Sequence, residues 1–79
     1  MKNKIKIFKD HRSLRIYIDE ILHVEILIGN YNGLQSWLEG SKKKMFFIEF
    51  YFKQGNSIIL EYDEFDMWKT ILRLIDENI

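Results

Sequence analysis

The sequence predicts an α+β domain in which an antiparallel meander sheet of five or six curved strands packs against one C-terminal helix. Two observations favour this class. Apolar residues alternate with other residues in several short segments, which is typical of strands that bury one face. From about residue 64 to 77, apolar residues instead recur every three or four positions, which is typical of an amphipathic helix.

The clearest strands are predicted at about 45–53 and 57–62, as a hairpin. Lys53-Gln54-Gly55 fits a type I turn that ends in a glycine with positive φ. That turn sets apolar residues of the two strands opposite each other: Phe50 and Ile58, Ile48 and Leu60, Phe46 and Tyr62. Because these residues share one face, the turn and the hydrophobic pattern indicate the same register. Phe47 and Tyr51 are left on the other face.

The C-terminal helix is predicted to begin after Asp63, whose carboxylate suits the N-cap because it accepts from free backbone N–H groups of the first turn. Glu64 and Asp66 place negative charge near the positive end of the helix dipole. The inward stripe is expected to consist of Phe65, Trp68, Ile71, Leu72 and Ile75. This stripe is expected to cover the even-numbered face of the hairpin.

Three further strands are predicted at about 4–8, 13–18 and 23–29, because β-branched residues are frequent there and apolar positions alternate. Their inward residues are expected to be Ile5, Ile7, Leu14, Ile16, Ile18, Val24, Ile26 and Ile28.

A strand is also predicted at about 34–38. Asn32-Gly33 suits a type I′ turn, in which both central residues need positive φ, so this strand is expected to pair back on residues 26–30. A loop or one helical turn around residues 36–39 is the open alternative.

The composition indicates one domain spanning residues 1–79. A chain of 79 residues buries a small core, and this one has no cysteine for a disulfide, but 15% of its residues are aromatic. Its net charge is zero, yet residues 1–15 hold six basic residues against one acidic residue. Residues 54–79 hold six acidic residues against two basic ones. This segregation predicts one basic and one acidic face, with an ordinary solvated surface as the alternative.

The N-terminal residues lack the apolar segment of a signal peptide, and no apolar run approaches the length of a transmembrane helix. Together with the absence of cysteine, this favours a cytoplasmic protein without a membrane span.

Several segments resemble small bacterial pleckstrin-homology-like domains across residues 14–78. The similar segments are residues 19–26, residues 47–55, residues 58–62 and the terminal helix with Trp68. The resemblance implies a bent sheet closed by one C-terminal helix and a role as a binding module. Ile58-Ile59-Leu60 followed by residues 64–68 is also similar to the end of the transcriptional-coactivator and Whirly-like single-stranded-DNA binders.

No residue pattern indicates an enzyme, a metal or a cofactor. His11 and His23 lack the spacing of metal-ligand pairs. The serines lie in predicted turns or strand ends without a nucleophile motif, and the four glycines are too scattered to cradle a phosphate. We therefore expect a protein that is not an enzyme.

The leading hypothesis is a small non-enzymatic interaction module that binds a protein partner or a second copy of itself. Its candidate anchors are Tyr31, Trp37, Phe47 and Tyr51, because aromatic residues carry much of the energy of interfaces. The small size suggests a regulator or inhibitor of mobile-element or phage origin.

The alternative hypothesis is a single-stranded nucleic-acid-binding protein that uses a basic, aromatic sheet face. The candidate phosphate contacts are Lys2, Lys4, Lys6, Arg15, Lys42, Lys43 and Lys44. Tyr17, Phe47 and Tyr51 are candidates for base stacking. Lysines on edge strands also prevent unwanted strand pairing, which requires no ligand.

Overall fold

The computed structural model describes residues 4–40 and 44–79. Within these residues, six antiparallel strands form two three-stranded sheets that pack with one α-helix, so the predicted α+β class is confirmed. The first sheet contains β1 (Ile5–Lys9), β2 (Ser13–Ile18) and β3 (Ile21–Leu27), and the second contains β4 (Tyr31–Gly40), β5 (Lys44–Phe52) and β6 (Ser57–Tyr62). A 3₁₀ turn (Ile28–Asn30) joins the sheets, and helix α1 (Phe65–Asn78) follows β6.

The strand predicted at 34–38 exists, but its predicted pairing with residues 26–30 is wrong. It is part of β4, which pairs with β5 along its whole length. The 3₁₀ turn takes the chain out of the first sheet, and the Asn30 carbonyl accepts a hydrogen bond from the Lys53 N–H at 2.8 Å. Asn32-Gly33 is therefore not a hairpin turn, and a bulge lies there within β4. One meander is thus divided into two sheets.

The β5–β6 hairpin has the predicted register. Phe46 lies opposite Tyr62, Ile48 opposite Leu60 and Phe50 opposite Ile58. Gly55 has a φ of 88°, which permits the turn because glycine has no Cβ to clash in the left-handed region. The Gly55 N–H donates to the Phe52 carbonyl at 3.0 Å and closes the turn.

One hydrophobic core joins the inner faces of both sheets and helix α1. The first sheet contributes Leu14, Ile16 and Ile26, the second contributes Phe46, Ile48, Phe50, Leu60 and Tyr62, and the helix contributes Ile71 and Ile75. Even-numbered residues of β5 are therefore inward, as predicted. Ile58 has the predicted partner but remains 37% exposed at the end of β6 near the turn.

Helix α1 begins later than predicted, and Asp63 is not its N-cap. Glu64 occupies that position with extended backbone and makes no side-chain capping hydrogen bond. Asp63 therefore lies one residue before the N-cap, and the prediction that it caps the helix is wrong. The predicted stripe is otherwise confirmed, with Trp68 and Leu72 partly buried and Phe65 half-exposed at the start of the helix.

Trp68 connects the helix to the second sheet. Its indole N–H donates to the Phe47 carbonyl at 2.9 Å, and its ring lies 5.3 Å from the ring of Phe46. This contact positions α1 on the inner face and leaves the outer face of the second sheet uncovered by the helix.

Candidate functional site

The outer face of the second sheet carries an aromatic stack between β4 and β5. Trp37 lies directly opposite Phe47 in the ladder, and their rings are nearly parallel with centroids 5.0 Å apart. Opposite positions in antiparallel strands bring side chains close enough for such contact. Ile59 on the same face of β6 is 48% exposed, so the stack adjoins an accessible apolar side chain.

A hydrogen-bond network borders the stack. The Tyr51 hydroxyl lies 2.7 Å from Glu49 Oε1 and 3.1 Å from Gln35 Oε1. Donation of this proton to the Glu49 carboxylate raises the pKa of Tyr51 above its ordinary value. We call the surface formed by Gln35, Trp37, Phe47, Glu49, Tyr51 and Ile59 the aromatic face.

The rim of the aromatic face is acidic. Glu61 lies opposite Phe47 in the β5–β6 ladder, and Glu39 lies opposite Met45 in the β4–β5 ladder. Both side chains are exposed, whereas Glu49 near the centre is half-buried. Two exposed carboxylates at the rim and a third near the centre favour a ligand that is apolar and positively charged.

Tyr31 does not belong to the aromatic face, contrary to its placement in the predicted anchor set. The bulge beside Asn32 shifts the alternation of β4, so that Tyr31 lies opposite the inward-facing Phe52. Its ring lies 6.4 Å from that of Phe50, and burial raises its pKa. Three of the four predicted anchors, Trp37, Phe47 and Tyr51, therefore come together, and the fourth does not.

Tyr31 instead lines a groove of about 350 Å³ between β4 and the end of helix α1. The other lining residues are Leu34, Leu72, Ile75, Asp76 and Ile79. The groove is mainly apolar, with one carboxylate and one phenol at its margin. The sequence did not indicate it, because its two walls lie about 40 residues apart in the chain.

Three of the predicted basic residues share the outer face of the first sheet. Lys6 lies opposite Tyr17, Arg15 lies opposite Phe8, and Lys4 precedes β1 on the same side by alternation. The Phe8 and Tyr17 rings form an edge-to-face pair at 5.6 Å. We call this surface the basic face. Phe8 was not among the residues predicted for this surface, although it follows Lys6 by two positions and therefore shares its strand face.

Charges on the basic face are partly balanced. Arg15 Nη2 lies 3.8 Å from Asp10 Oδ2, and Glu25 lies opposite Arg15 in the ladder. Lys2, Lys42 and Lys43 lie outside the described residues, and Lys44 enters the description only as the first position of β5. Phe47 and Tyr51, proposed for base stacking, lie on the other sheet.

The histidines are separated in space. His11 is exposed in the β1–β2 turn, whereas the His23 ring lies 5.7 Å from the ring of Tyr62. Among residues 4–40 and 44–79, no group of three histidine or carboxylate side chains is arranged to hold a metal ion.

Comparisons with protein-family models, with curated proteins and with solved structures found no match for this chain. In the part of the chain that the structure describes, neither α1 nor the 3₁₀ turn is long and apolar enough to cross a membrane.

Proposed function

We propose that this chain is a non-enzymatic interaction module that binds a protein partner through the aromatic face. The stack of Trp37 on Phe47 carries the proposal. Tryptophan is enriched among the residues that dominate binding energy, especially where surrounding contacts exclude water. The stack lies on the outer face of the second sheet, which helix α1 does not cover, so a partner can contact it there.

The surroundings of the stack support a partner that combines apolar and basic side chains. Ile59 extends the apolar surface, and Glu39 and Glu61 add exposed negative charge beside it. Rim charges mainly set association rate and partner choice, whereas the apolar centre sets the lifetime of the complex. The expected partner surface therefore presents lysine or arginine around an apolar anchor.

We further propose that the chain is a small pleckstrin-homology-like domain. Two antiparallel sheets closed by a C-terminal helix agree with the arrangement implied by the pleckstrin-homology-like resemblance. A cytoplasmic location and a regulatory or inhibitory role of mobile-element or phage origin are part of the proposal as well.

Affinity capture from a lysate of the source organism tests the protein-binding proposal. Wild-type chain is expected to retain a specific protein that Trp37→Ala loses, because the substitution removes the stacked ring. Leu22→Ala is the matched control, since Leu22 is an exposed apolar residue of the first sheet. Equal capture by wild type and Trp37→Ala would contradict the proposal, provided that circular dichroism shows both proteins to be folded.

The basic face supports a second candidate function, the binding of single-stranded nucleic acid. Lys4, Lys6 and Arg15 lie on one sheet face with the Phe8–Tyr17 pair, which combines phosphate contacts with stacking surfaces. The nearby carboxylates of Asp10 and Glu25 weaken its positive potential, which is why we rank this candidate second.

A fluorescence anisotropy titration with a labelled thymidine oligonucleotide tests the second candidate. Binding is expected at low ionic strength, is expected to weaken as salt rises, and is expected to be lost in Lys6→Glu. Absence of binding at low ionic strength would eliminate this candidate and leave the protein-binding proposal unaffected.

A further inference from the structure

The backbone hydrogen bonds of the β5–β6 turn show which N–H and C=O groups of β4 face away from the sheet. The Phe52 N–H donates to the Asn56 carbonyl, and its carbonyl accepts from the Gly55 N–H, so Phe52 directs both groups toward β6. Alternate residues of a strand direct their backbone groups to opposite sides. Phe47, Glu49 and Tyr51 therefore direct theirs toward β4.

The partners of these residues in β4 are Trp37, Gln35 and Gly33, whose backbone groups thus face β5. The intervening residues Leu34, Ser36 and Leu38 direct their N–H and C=O groups away from the sheet. Among the described residues, β4 pairs with β5 alone, which makes this side an open edge. An open edge of this kind is a template for another strand.

The edge of β4 lacks the protection found on the other edge strands of the described structure. β1 carries Lys6 and Lys9, which deter strand pairing. β3 is irregular beside His23, where its register with β2 shifts. β6 is shorter, and its last outward-directed backbone groups belong to Glu61.

In contrast, residues 34–38 of β4 contain no charged side chain. The bulge that interrupts β4 lies before this segment, between Tyr31 and Gly33. Leu38 is 54% exposed, although the Phe46 opposite it is buried, so apolar surface remains uncovered at this edge. Backbone groups and side chains therefore both favour an additional strand here.

We propose that β4 pairs antiparallel with β4 of a second copy, about a two-fold axis that passes beside Ser36. Ser36 then lies opposite Ser36 of the second copy, and Leu34 lies opposite Leu38. Each of these residues donates one hydrogen bond and accepts one, so the outward-directed groups of the segment are satisfied.

The sequence around the axis is self-complementary. Leu38 of one copy covers Leu34 of the other on the inner side, and Trp37 lies opposite Gln35 on the outer side. Glu39 lies opposite Gly33, so no two carboxylates face each other across the axis. A second copy thus suits this edge, since each opposed pair contains at least one uncharged residue and no pair brings two like charges together.

The dimer does not depend on the proposed function. It forms one continuous sheet from the two second sheets and places two aromatic faces side by side. A single partner with two basic, apolar segments is then held by both faces at once, which increases apparent affinity without any new contact.

Light scattering after size-exclusion chromatography measures the assembly of the full chain at micromolar concentration. We expect a mass twice that of the 9.7 kDa chain. Leu38→Lys places a charge at the edge, and Ser36→Pro removes a central N–H that faces outward, so both are expected to halve the mass. Leu27→Lys is the matched control, because Leu27 is 51% exposed on an edge strand of the first sheet.

Engineered cysteines test the register. The chain has no cysteine, so Ser36→Cys introduces a single thiol per copy. Opposite residues of a hydrogen-bonded antiparallel pair have Cα atoms about 5.5 Å apart, within the span of a disulfide. Ser36→Cys is expected to form a cross-linked dimer on mild oxidation, whereas Ser57→Cys on β6 is expected to remain uncross-linked.

A monomeric wild type would overturn the dimer and would leave capture by the aromatic face unchanged. A dimer that persists in Leu38→Lys but is lost in Leu27→Lys would place the interface on the first sheet and would also overturn it. Circular dichroism of each variant confirms that a change in mass reflects assembly and not unfolding.

Discussion

At the residue scale, Tyr62 places a polar group in the core of a small domain. Its ring is almost fully buried, and its hydroxyl has no hydrogen-bond partner among the described residues. Burial raises the pKa of Tyr62 to about 12 from its ordinary 10.0, because the phenolate is poorly solvated there. The side chain therefore combines apolar burial with an unsatisfied hydroxyl.

Tyr62→Phe is expected to increase the free energy of unfolding by about 1 kcal/mol, because it removes an unsatisfied polar group and keeps the ring. The folded state retains the phenol proton between about pH 10 and pH 12, where the unfolded state loses it. Stability of the wild type therefore falls as pH rises through that window. Urea unfolding at neutral and alkaline pH checks both effects, and a loss of stability at neutral pH would contradict the first.

Asp10 organises the turn between β1 and β2. Its Oδ1 accepts from the Arg12 N–H at 2.7 Å and from the Ser13 N–H at 2.8 Å. These two hydrogen bonds, with a smaller effect of the Arg15 charge, lower the pKa of Asp10 below its ordinary 3.8. The carboxylate form is thus favoured by folding.

Asp10→Asn retains an acceptor oxygen but removes the titratable charge. Because the folded-state pKa is lowered, the wild-type contribution is present above pH 3.8 and is lost as pH falls through the folded-state value. We expect the variant to be less stable at neutral pH and to lose less stability on acidification. Thermal unfolding from pH 6 to pH 2 measures this, and parallel pH profiles of the two proteins would contradict it.

At the element scale, the turn between β2 and β3 contains one residue, Glu20, that is unusual at its position, because aspartate but not glutamate is favoured at positive φ. Asp19 and Glu20 have φ values of 51° and 70°, as the central residues of a type I′ turn require. The Asp19 carboxylate accepts from the Lys4 N–H at 2.9 Å, which explains its presence. Glu20 has no comparable contact among the described residues.

Glu20→Gly is expected to increase the free energy of unfolding by about 0.5–1 kcal/mol, since glycine adopts positive φ without a Cβ clash. Glu25→Gly in the extended interior of β3 is the matched control and is expected to destabilise the domain. Denaturant unfolding of both variants provides the measurement. Equal destabilisation would show that the Glu20 backbone carries no strain.

The pairing of β4 with β5 differs from the prediction because a local signal competes with long-range contacts. Asn32-Gly33 is a strong local signal for a hairpin turn, but strand pairing is decided by contacts that are distant in sequence. The 3₁₀ turn at residues 28–30 has no comparable local signature, and Gly33 is compatible with a bulge within a strand as well as with a hairpin turn. The bulge also explains why Tyr31 lies apart from the other three predicted anchors.

At the scale of the whole molecule, the parts that sequence predicted correctly are those with agreeing local signals. In the β5–β6 hairpin, the glycine turn and the alternation of Phe46, Ile48 and Phe50 specify one register. The apolar period of α1 likewise predicted Ile71 and Ile75 as core residues. The division into two sheets required long-range pairing information that alternation alone does not contain.

The candidate surface was predicted in part for the same reason. Phe47 and Tyr51 follow from the hairpin register, whereas the contact of Trp37 with Phe47 depends on the β4–β5 pairing. The basic face draws Lys4, Lys6 and Arg15 from the basic segment 1–15, whereas only Glu61 of the three carboxylates at the aromatic face comes from the acidic segment 54–79. The proposed function requires that a partner docks on the aromatic face.

Chemical-shift mapping shows on which face of the chain the partner docks. The captured partner is titrated into ¹⁵N-labelled chain, and backbone amide shifts are followed residue by residue. We expect the largest changes at Trp37, Phe47 and Ile59 and little change at Phe8 and Tyr17. The largest changes on the basic face, with the aromatic face unaffected, would contradict docking on the aromatic face.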